Sequence, residues 1–244
     1  MNTENTVYEL QQLKLKGMLQ TYRKILSTPQ QEQPGIHHFM AQLSEAEIQS
    51  RLHSRTEMYL KMSKLRYDAV LEQVHCTLDR NLSKESIAAL SDCSFAKRAE
   101  NILITGATGC GKSYLACAIG RQACAFGYKT MYFSMSKFLE KVALCKLDGT
   151  LLKFLTQIEK THLLILDDFG LHPLDVTSRL ALLQILEDRY GKKSMIITSQ
   201  LPLANWHQYI GESTIADAIM DRLSANAHRF DLKGESLRKK SINN

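Results

Sequence analysis

The chain has 244 residues, of which 44% are hydrophobic and 23% charged, with a net charge of +6. That length accommodates one large domain or two smaller ones, with ample core. No apolar stretch approaches the ~20 residues of a membrane span, and the polar start is unlike a secretory signal, so a cytoplasmic protein with no membrane partner is expected.

The charge is unevenly spread. Residues 1–66 hold nine Lys/Arg against six Asp/Glu, residues 67–225 hold seventeen of each, and residues 226–244 hold five against two. The excess at both ends allows polyanion binding there, or two solvated polar ends. Six cysteines occur without a C-x-x-C pair, which excludes the usual zinc spacing and fits a reducing compartment.

Within residues 6–28, Leu15, Met18, Leu19, Tyr22, Ile25 and Leu26 recur at three and four, which predicts a helix with one apolar face. A polar linker with two prolines follows over 27–35, and His37 and His38 read as loop residues. Ser44 and Glu47 have capping-box spacing, so a second helix is predicted from Ser44 to about Leu65, with a third helical stretch near 67–79. The basic residues here (Arg51, Arg55, Lys61, Lys64, Arg66) do not gather on one face. Residues 1–70 are read as a small helical domain for partner or DNA contact, and residues 71–244 as the main domain with a basic tail.

A short helix over Lys84–Leu90 leads to the apolar run Asn101–Thr105, a buried strand. Next comes Gly106-Ala107-Thr108-Gly109-Cys110-Gly111-Lys112-Ser113, which matches G-x-x-x-x-G-K-[ST]. A helical pattern follows through Tyr114 and Leu115 to Phe126. Strand, glycine loop and helix is the context that a P-loop requires. Backbone N–H groups of the loop and the positive helix end face one point, which suits ATP phosphates. Lys112 would reach the β- and γ-phosphates, and Ser113 would bind Mg²⁺. Cys110 lies beside Lys112 at a helix start, a position that favours the thiolate, so alkylation there is expected to block nucleotide binding.

A second strand is predicted at 128–133, then helices near 136–145 and 150–160. Leu163–Leu166 is a buried strand that ends in Asp167-Asp168, fifty-four residues beyond Ser113. Carboxylates at a strand's carboxyl end lie where α/β sheets bind ligands. Asp167 is expected to hold Mg²⁺, and Asp168 to polarise the attacking water. Asp175 caps a helix over 176–190, with Gly191 past its end. Ser194–Ser199 is a further buried strand whose polar end, Thr198-Ser199-Gln200, either reaches the γ-phosphate or begins a turn. A helix over 214–225 carries Arg222, and 228–232 is the last strand. Alternating strands and helices predict a parallel sheet covered on both faces. Many P-loop enzymes place an arginine opposite the γ-phosphate. Arg222 is the first choice and Arg189 the second.

Taken together, Gly106–Ser113, Leu163–Gly170, Arg189-Tyr190, Ile196–Gln200 and Gly234–Arg238 resemble the IstB-like ATP-binding proteins of bacterial insertion sequences. These are similar to the helicase loader DnaC and belong to the AAA+ ATPases. The resemblance covers nearly the whole chain. It implies a five-stranded AAA+ core, Mg²⁺-dependent ATP hydrolysis, and an ATP-dependent homo-oligomer on double-stranded DNA. It also implies contact with the transposase of the same insertion sequence, which directs target choice and DNA recombination. Arg222 is then the arginine finger acting on a neighbour, and Ser199 or Gln200 the sensor-one residue. Two residues depart from the common AAA+ pattern: Asp168 stands where Glu is usual, and Gln200 where Asn is common. No full C-terminal lid is expected after Ala225, and Arg238 would stand in for lid contacts. The alternative within the resemblance is a DnaC-like loader of a replicative helicase. A P-loop kinase would need an arginine-rich lid insert, and a DNA-binding protein with a dead P-loop conflicts with intact Lys112, Ser113 and Asp167.

Overall fold

The computed structural model describes residues 3–237. It divides into two units, Met1–Met58 and Tyr59–Asn244. Arg238 lies outside the described residues.

The first unit is helical: α1 (Thr3–Gln12), α2 (Lys16–Leu26) and most of α3 (Ile36–Ser63). The single helix expected over 6–28 is broken between α1 and α2, where Lys14 adopts φ 57°. The predicted capping box is also absent. α3 starts at Ile36, just after Pro34-Gly35, so Ser44 lies mid-helix and His37 and His38 are helical rather than in a loop. Glu47 instead accepts bonds from the backbone N–H groups of Gly17 (2.9 Å) and Met18 (3.3 Å). Those are orphan donors of α2's first turn, so a carboxylate thirty residues away does the work of a cap. Gly17 permits this approach: a Cβ there would lie 2.1 Å from the carbonyl oxygen of Ala46.

The second unit is a three-layer α/β domain. After α3 come 3₁₀ turns at Leu71–Gln73 and Leu78–Arg80, where a helix was expected near 67–79. Then follow α4 (Lys84–Ser91), α5 (Ser94–Lys97), β1 (Asn101–Gly106), α6 (Lys112–Ala125), β2 (Thr130–Ser134), α7 (Met135–Leu147), α8 (Leu151–Glu159), β3 (Leu163–Phe169), α9 (Val176–Arg189), β4 (Ser194–Ser199), α10 (Trp206–Ile210), α11 (Ser213–Ser224) and β5 (Ala227–Leu232). α10 had no counterpart in the sequence reading. The Asp175 cap holds, since its carboxylate accepts from Ser178 N–H at 2.8 Å.

The five strands pair in parallel in the order β2-β3-β4-β1-β5. Alternation along β1 sends Ile102 and Ile104 to one face and Leu103 to the other. The first face packs against α4, α5 and α6, the second against α7 to α11. All carboxyl ends share one edge, with β4 central between β3 and β1. The loop after β1 and the aspartates of β3 therefore meet there, at the crevice where such sheets bind ligands.

Candidate nucleotide site

The loop between β1 and α6 needs glycine for reasons visible in its backbone. Gly106 adopts φ 143°, and a Cβ there would lie 2.2 Å from the carbonyl oxygen of Leu232 on β5. At Gly109, with φ 84°, a Cβ would strike Ser236 Oγ at 2.1 Å. Leu237 N–H donates to the Gly109 carbonyl at 3.0 Å, so the segment after β5 is pinned on the loop. Arg80 reaches it from another side and donates to the Cys110 carbonyl at 2.6 Å. Lys112 turns back into the loop, with Nζ donating to the carbonyls of Gly106 (2.8 Å) and Ala107 (2.9 Å). The ammonium is thus held inside the loop, where phosphate oxygens would meet it.

Cys110 corrects the expectation of an accessible thiol: its side chain is fully buried in the core beneath the loop. Its carbonyl, not its sulfur, belongs to the site.

Asp167 is the hub of the acidic side. It is fully buried. Ser113 Oγ donates to its Oδ1 at 2.8 Å, and Thr198 Oγ1 donates to the same oxygen. Tyr132 OH donates to Oδ2 at 2.6 Å. Burial and the neighbouring carboxylate push the Tyr132 phenol well above its ordinary pKa, so it stays a donor. Ser113 and Asp167 bring hard oxygen donors together across two motifs. That fits Mg²⁺, which uses one or two protein oxygens and completes its shell with phosphates and water. Among the described residues no cluster of three or more His, Cys, Asp or Glu could hold an ion alone.

Asp168 lies in the left-handed region at φ 63°. The β3–β4 register shifts between Leu166 and Phe169, and this bulge turns Asp168 out toward the cleft. Its N–H donates to Thr198 Oγ1 at 3.0 Å. Thr198 therefore ties both aspartates to β4.

The polar end of β4 splits into two roles. Ser199 is buried, donates to the Phe169 carbonyl and accepts from Leu201 N–H, so its hydroxyl is used inside the fold. Gln200 lines the cleft and accepts from Thr108 Oγ1 at 2.6 Å. The cleft holds about 900 Å³, in the range of nucleotide-sized sites. Its far side carries Tyr67, Gln73, Val74 and His75. Tyr114 closes onto that side: its hydroxyl donates to Gln73 at 3.0 Å, and its ring lies 6.4 Å from that of Tyr67.

Two arginines lie away from the cleft. Arg189 is buried and donates to the carbonyls of Ile158, Thr161, His162 and Ser194. Burial lowers its pKa to about 10. This second choice for a finger is a structural residue with no route to a phosphate. Arg222 pairs with Glu187 at 3.1 Å, and its carbonyl accepts from Asn101 at the start of β1. One strand length, roughly 17 Å, separates that edge from the phosphate loop.

Comparison with known proteins agrees with this architecture. The family model for IstB-like ATP binding protein matches residues 8–244. A Sinorhizobium fredii protein named for ATP binding in an insertion sequence is 40% identical over 234 residues, covering 96% of each chain. The chain belongs to the IstB-like ATP-binding protein family. The corresponding IS21 protein of Pseudomonas aeruginosa is 27% identical, over 95% of this chain and 87% of that one. In fold, this family member is similar to DnaI, with a TM-score of 0.59 and 20% identity over 68% of this chain and 92% of that chain. It is likewise similar to the DnaC helicase loader, with a TM-score of 0.55 and 21% identity over 70% of this chain and 99% of that chain. The α/β domain, with its five parallel strands between helices, shares the fold of these two proteins. Among the described residues no helix is long and apolar enough to cross a membrane.

The sequence reading missed several residues. Tyr132, Arg66 and Arg80 carried no motif. Tyr67, Gln73 and Val74 were hidden in a stretch read as helix.

Proposed function

We propose that this protein is a Mg²⁺-dependent ATPase whose ATP-bound form assembles on double-stranded DNA and directs the transposase of its own insertion sequence. The observation that carries the enzymatic part is the Ser113–Asp167 hydrogen bond, which joins the P-loop to the β3 carboxylate at the floor of the cleft.

In this reading the loop N–H groups and Lys112 hold the phosphates. Ser113 and Asp167 hold Mg²⁺, which supplies charge neutralisation to the β- and γ-phosphates. Asp168 orients the attacking water. Gln200, held by Thr108, takes the sensor position. Tyr67, Val74 and Tyr114 offer the base an apolar wall. Arg222 supplies the remaining positive charge in trans, because its guanidinium is a strand length from its own phosphate loop.

The 40% identity to an insertion-sequence relative favours transposition over helicase loading, because the likeness to DnaC is one of fold. The Lys/Arg excess in residues 1–66 and 226–244 supports DNA contact through those segments.

The test is mixing of two variants. Arg222→Ala should bind ATP yet hydrolyse little, and Lys112→Ala should bind ATP at least about tenfold more weakly. Mixed together with duplex DNA, they should regain activity, because an intact loop then meets an intact arginine. Co-assembly shown by crosslinking without recovered turnover would remove the trans role. Sizing of the unaltered protein with and without ATP and duplex DNA checks the assembly itself.

A further inference from the structure

Arg66 stands three residues beyond the end of α3. Its guanidinium lies over the ring of Tyr67, 5.3 Å from the centroid. Nη1 is 3.8 Å from Asp167 Oδ2 and 3.5 Å from Asp168 Oδ2. One cation therefore spans both members of the acidic pair. Both separations exceed a hydrogen-bond length, and the side chain is 44% exposed, so the contact is electrostatic and displaceable.

The two oxygens of Asp167 have different surroundings. Oδ1 takes the hydroxyls of Ser113 and Thr198, and Oδ2 takes Tyr132 and faces Arg66. A divalent cation held by Ser113 and Asp167 would be drawn to the same negative charge that Arg66 now neutralises. Two cations on one buried carboxylate repel each other across a partly desolvated gap, where screening is weaker than in water.

We propose that Arg66 is a positioning residue that occupies the acidic pair in competition with the divalent cation, and so sets the metal concentration at which the site becomes competent. This rests on the ATPase reading above. The aromatic face of Tyr67 gives the guanidinium a place to remain once it is displaced. An arginine suits that role better than a lysine, because its plane can stack and span two carboxylates at once.

The experiment uses the full chain, with Mn²⁺ as a paramagnetic substitute for Mg²⁺. Binding of Mn²⁺ is titrated by electron paramagnetic resonance in the presence of ADP. Binding of a fluorescent ADP is measured separately with EDTA present. Arg66→Gln keeps part of the stem and a hydrogen-bonding end while removing the charge. It should bind Mn²⁺ about threefold or more tightly, whereas ADP affinity in EDTA should match the unaltered protein. Arg66→Lys should fall between the two. Unchanged or weaker Mn²⁺ binding by a folded Arg66→Gln protein would overturn the proposal. Weakened ADP binding in EDTA would also overturn it, since Arg66 would then be a phosphate contact. If the unaltered protein binds ADP but no Mn²⁺, the metal assignment of the ATPase reading fails, and the proposal falls with it.

Discussion

Replacing Arg189 with alanine should destabilise the α/β domain strongly while leaving the chemistry of any folded protein intact. The guanidinium sits where the α8–β3 connection, the end of α9 and the start of β4 meet at the amino edge of the sheet. Nη1 donates to the carbonyls of Ile158 (3.1 Å) and Thr161 (3.0 Å), and Nη2 to those of His162 (3.1 Å) and Ser194 (2.6 Å). Ile158 lies in the last turn of α8, so the cation also caps that helix's orphan carbonyls and meets its negative end. Truncation would remove the cation from all four carbonyls, although the Ile158 carbonyl would keep the Thr161 N–H and hydroxyl. Hydrogen bonds to a charged group contribute about 1.5–3 kcal/mol each in isolation, but losses within one cluster do not add. The desolvation cost of the cation itself disappears with the side chain, which offsets part of the loss. Its Nε is the only buried side-chain polar atom without a partner among the described residues. A net loss of about 3–4 kcal/mol follows, set against the ~5–15 kcal/mol that typical domains possess. For a domain of this size the melting temperature should fall by roughly 10 °C. Thermal and urea unfolding would measure it, with nucleotide binding assayed well below the transition. A melting temperature within about 2 °C of the unaltered protein would refute the structural role. So would lost turnover at full stability, which would return Arg189 to the catalytic candidates.

Three other perturbations have definite expected outcomes. Thr198→Val removes the hydroxyl between Asp167 and the Asp168 backbone, so hydrolysis should slow by about tenfold or more while ADP affinity holds, measured by steady-state turnover and fluorescent ADP. Glu47 is held below its ordinary pKa: burial opposes the shift, and bonds from Arg51, Met18 and Gly17 outweigh it. Its stabilisation is therefore full above the unfolded carboxylate value of about 4.5 and fades as pH falls through the lower folded value. Glu47→Gln should cost about 1–2 kcal/mol at pH 7 and flatten this acid dependence, read from hydrogen exchange of α2 amides. Finally, Cys110 in the native protein should react slowly with a thiol reagent, whereas half-buried Cys76 should react first. Rapid modification of Cys110, located by mass spectrometry, would contradict its burial.

Much of the α/β fold was legible because its signals are local. Gly106–Ser113 between a strand and a helix fixes the phosphate loop, and four aliphatic residues before Asp167 fix β3. Asp175 and Gly191 bound α9 as their side-chain chemistry requires. The failures came where distant groups override local preference. Ser44 and Glu47 have capping spacing, yet Glu47 serves α2 across thirty residues of sequence. Lys14 takes a left-handed turn just before the apolar period of Leu15–Leu26, so α1 and α2 are separate helices. The left-handed Asp168 has no signature in sequence, since only the β3–β4 register reveals the bulge. Arg66 lay among scattered basic residues, and its acidic partners stand about a hundred positions later. Thr198 carried a partial signal, being a hydroxyl that follows the apolar run Met195–Ile197 near the end of a buried strand.

The separation of Lys112 from Arg222 bears on how copies of this chain would combine. Lys112, Ser113 and Asp167 stand at the carboxyl edge of the sheet, and Arg222 lies beside the first residue of β1 at the opposite edge. If Arg222 completes a neighbour's site, the contact joins the amino edge of one copy to the carboxyl edge of the next. A two-fold dimer would need both edges to face the partner at once; where the two edges face opposite ways, the contact is head-to-tail. It repeats, either around a ring or along a helical filament, and the rotation per copy decides which. In either arrangement every internal site has its arginine, and only an open end lacks one. Turnover per subunit should then rise with assembly length in a filament and saturate at closure in a ring. DNA that lengthens the assembly would act as an activator by this route without touching the nucleotide.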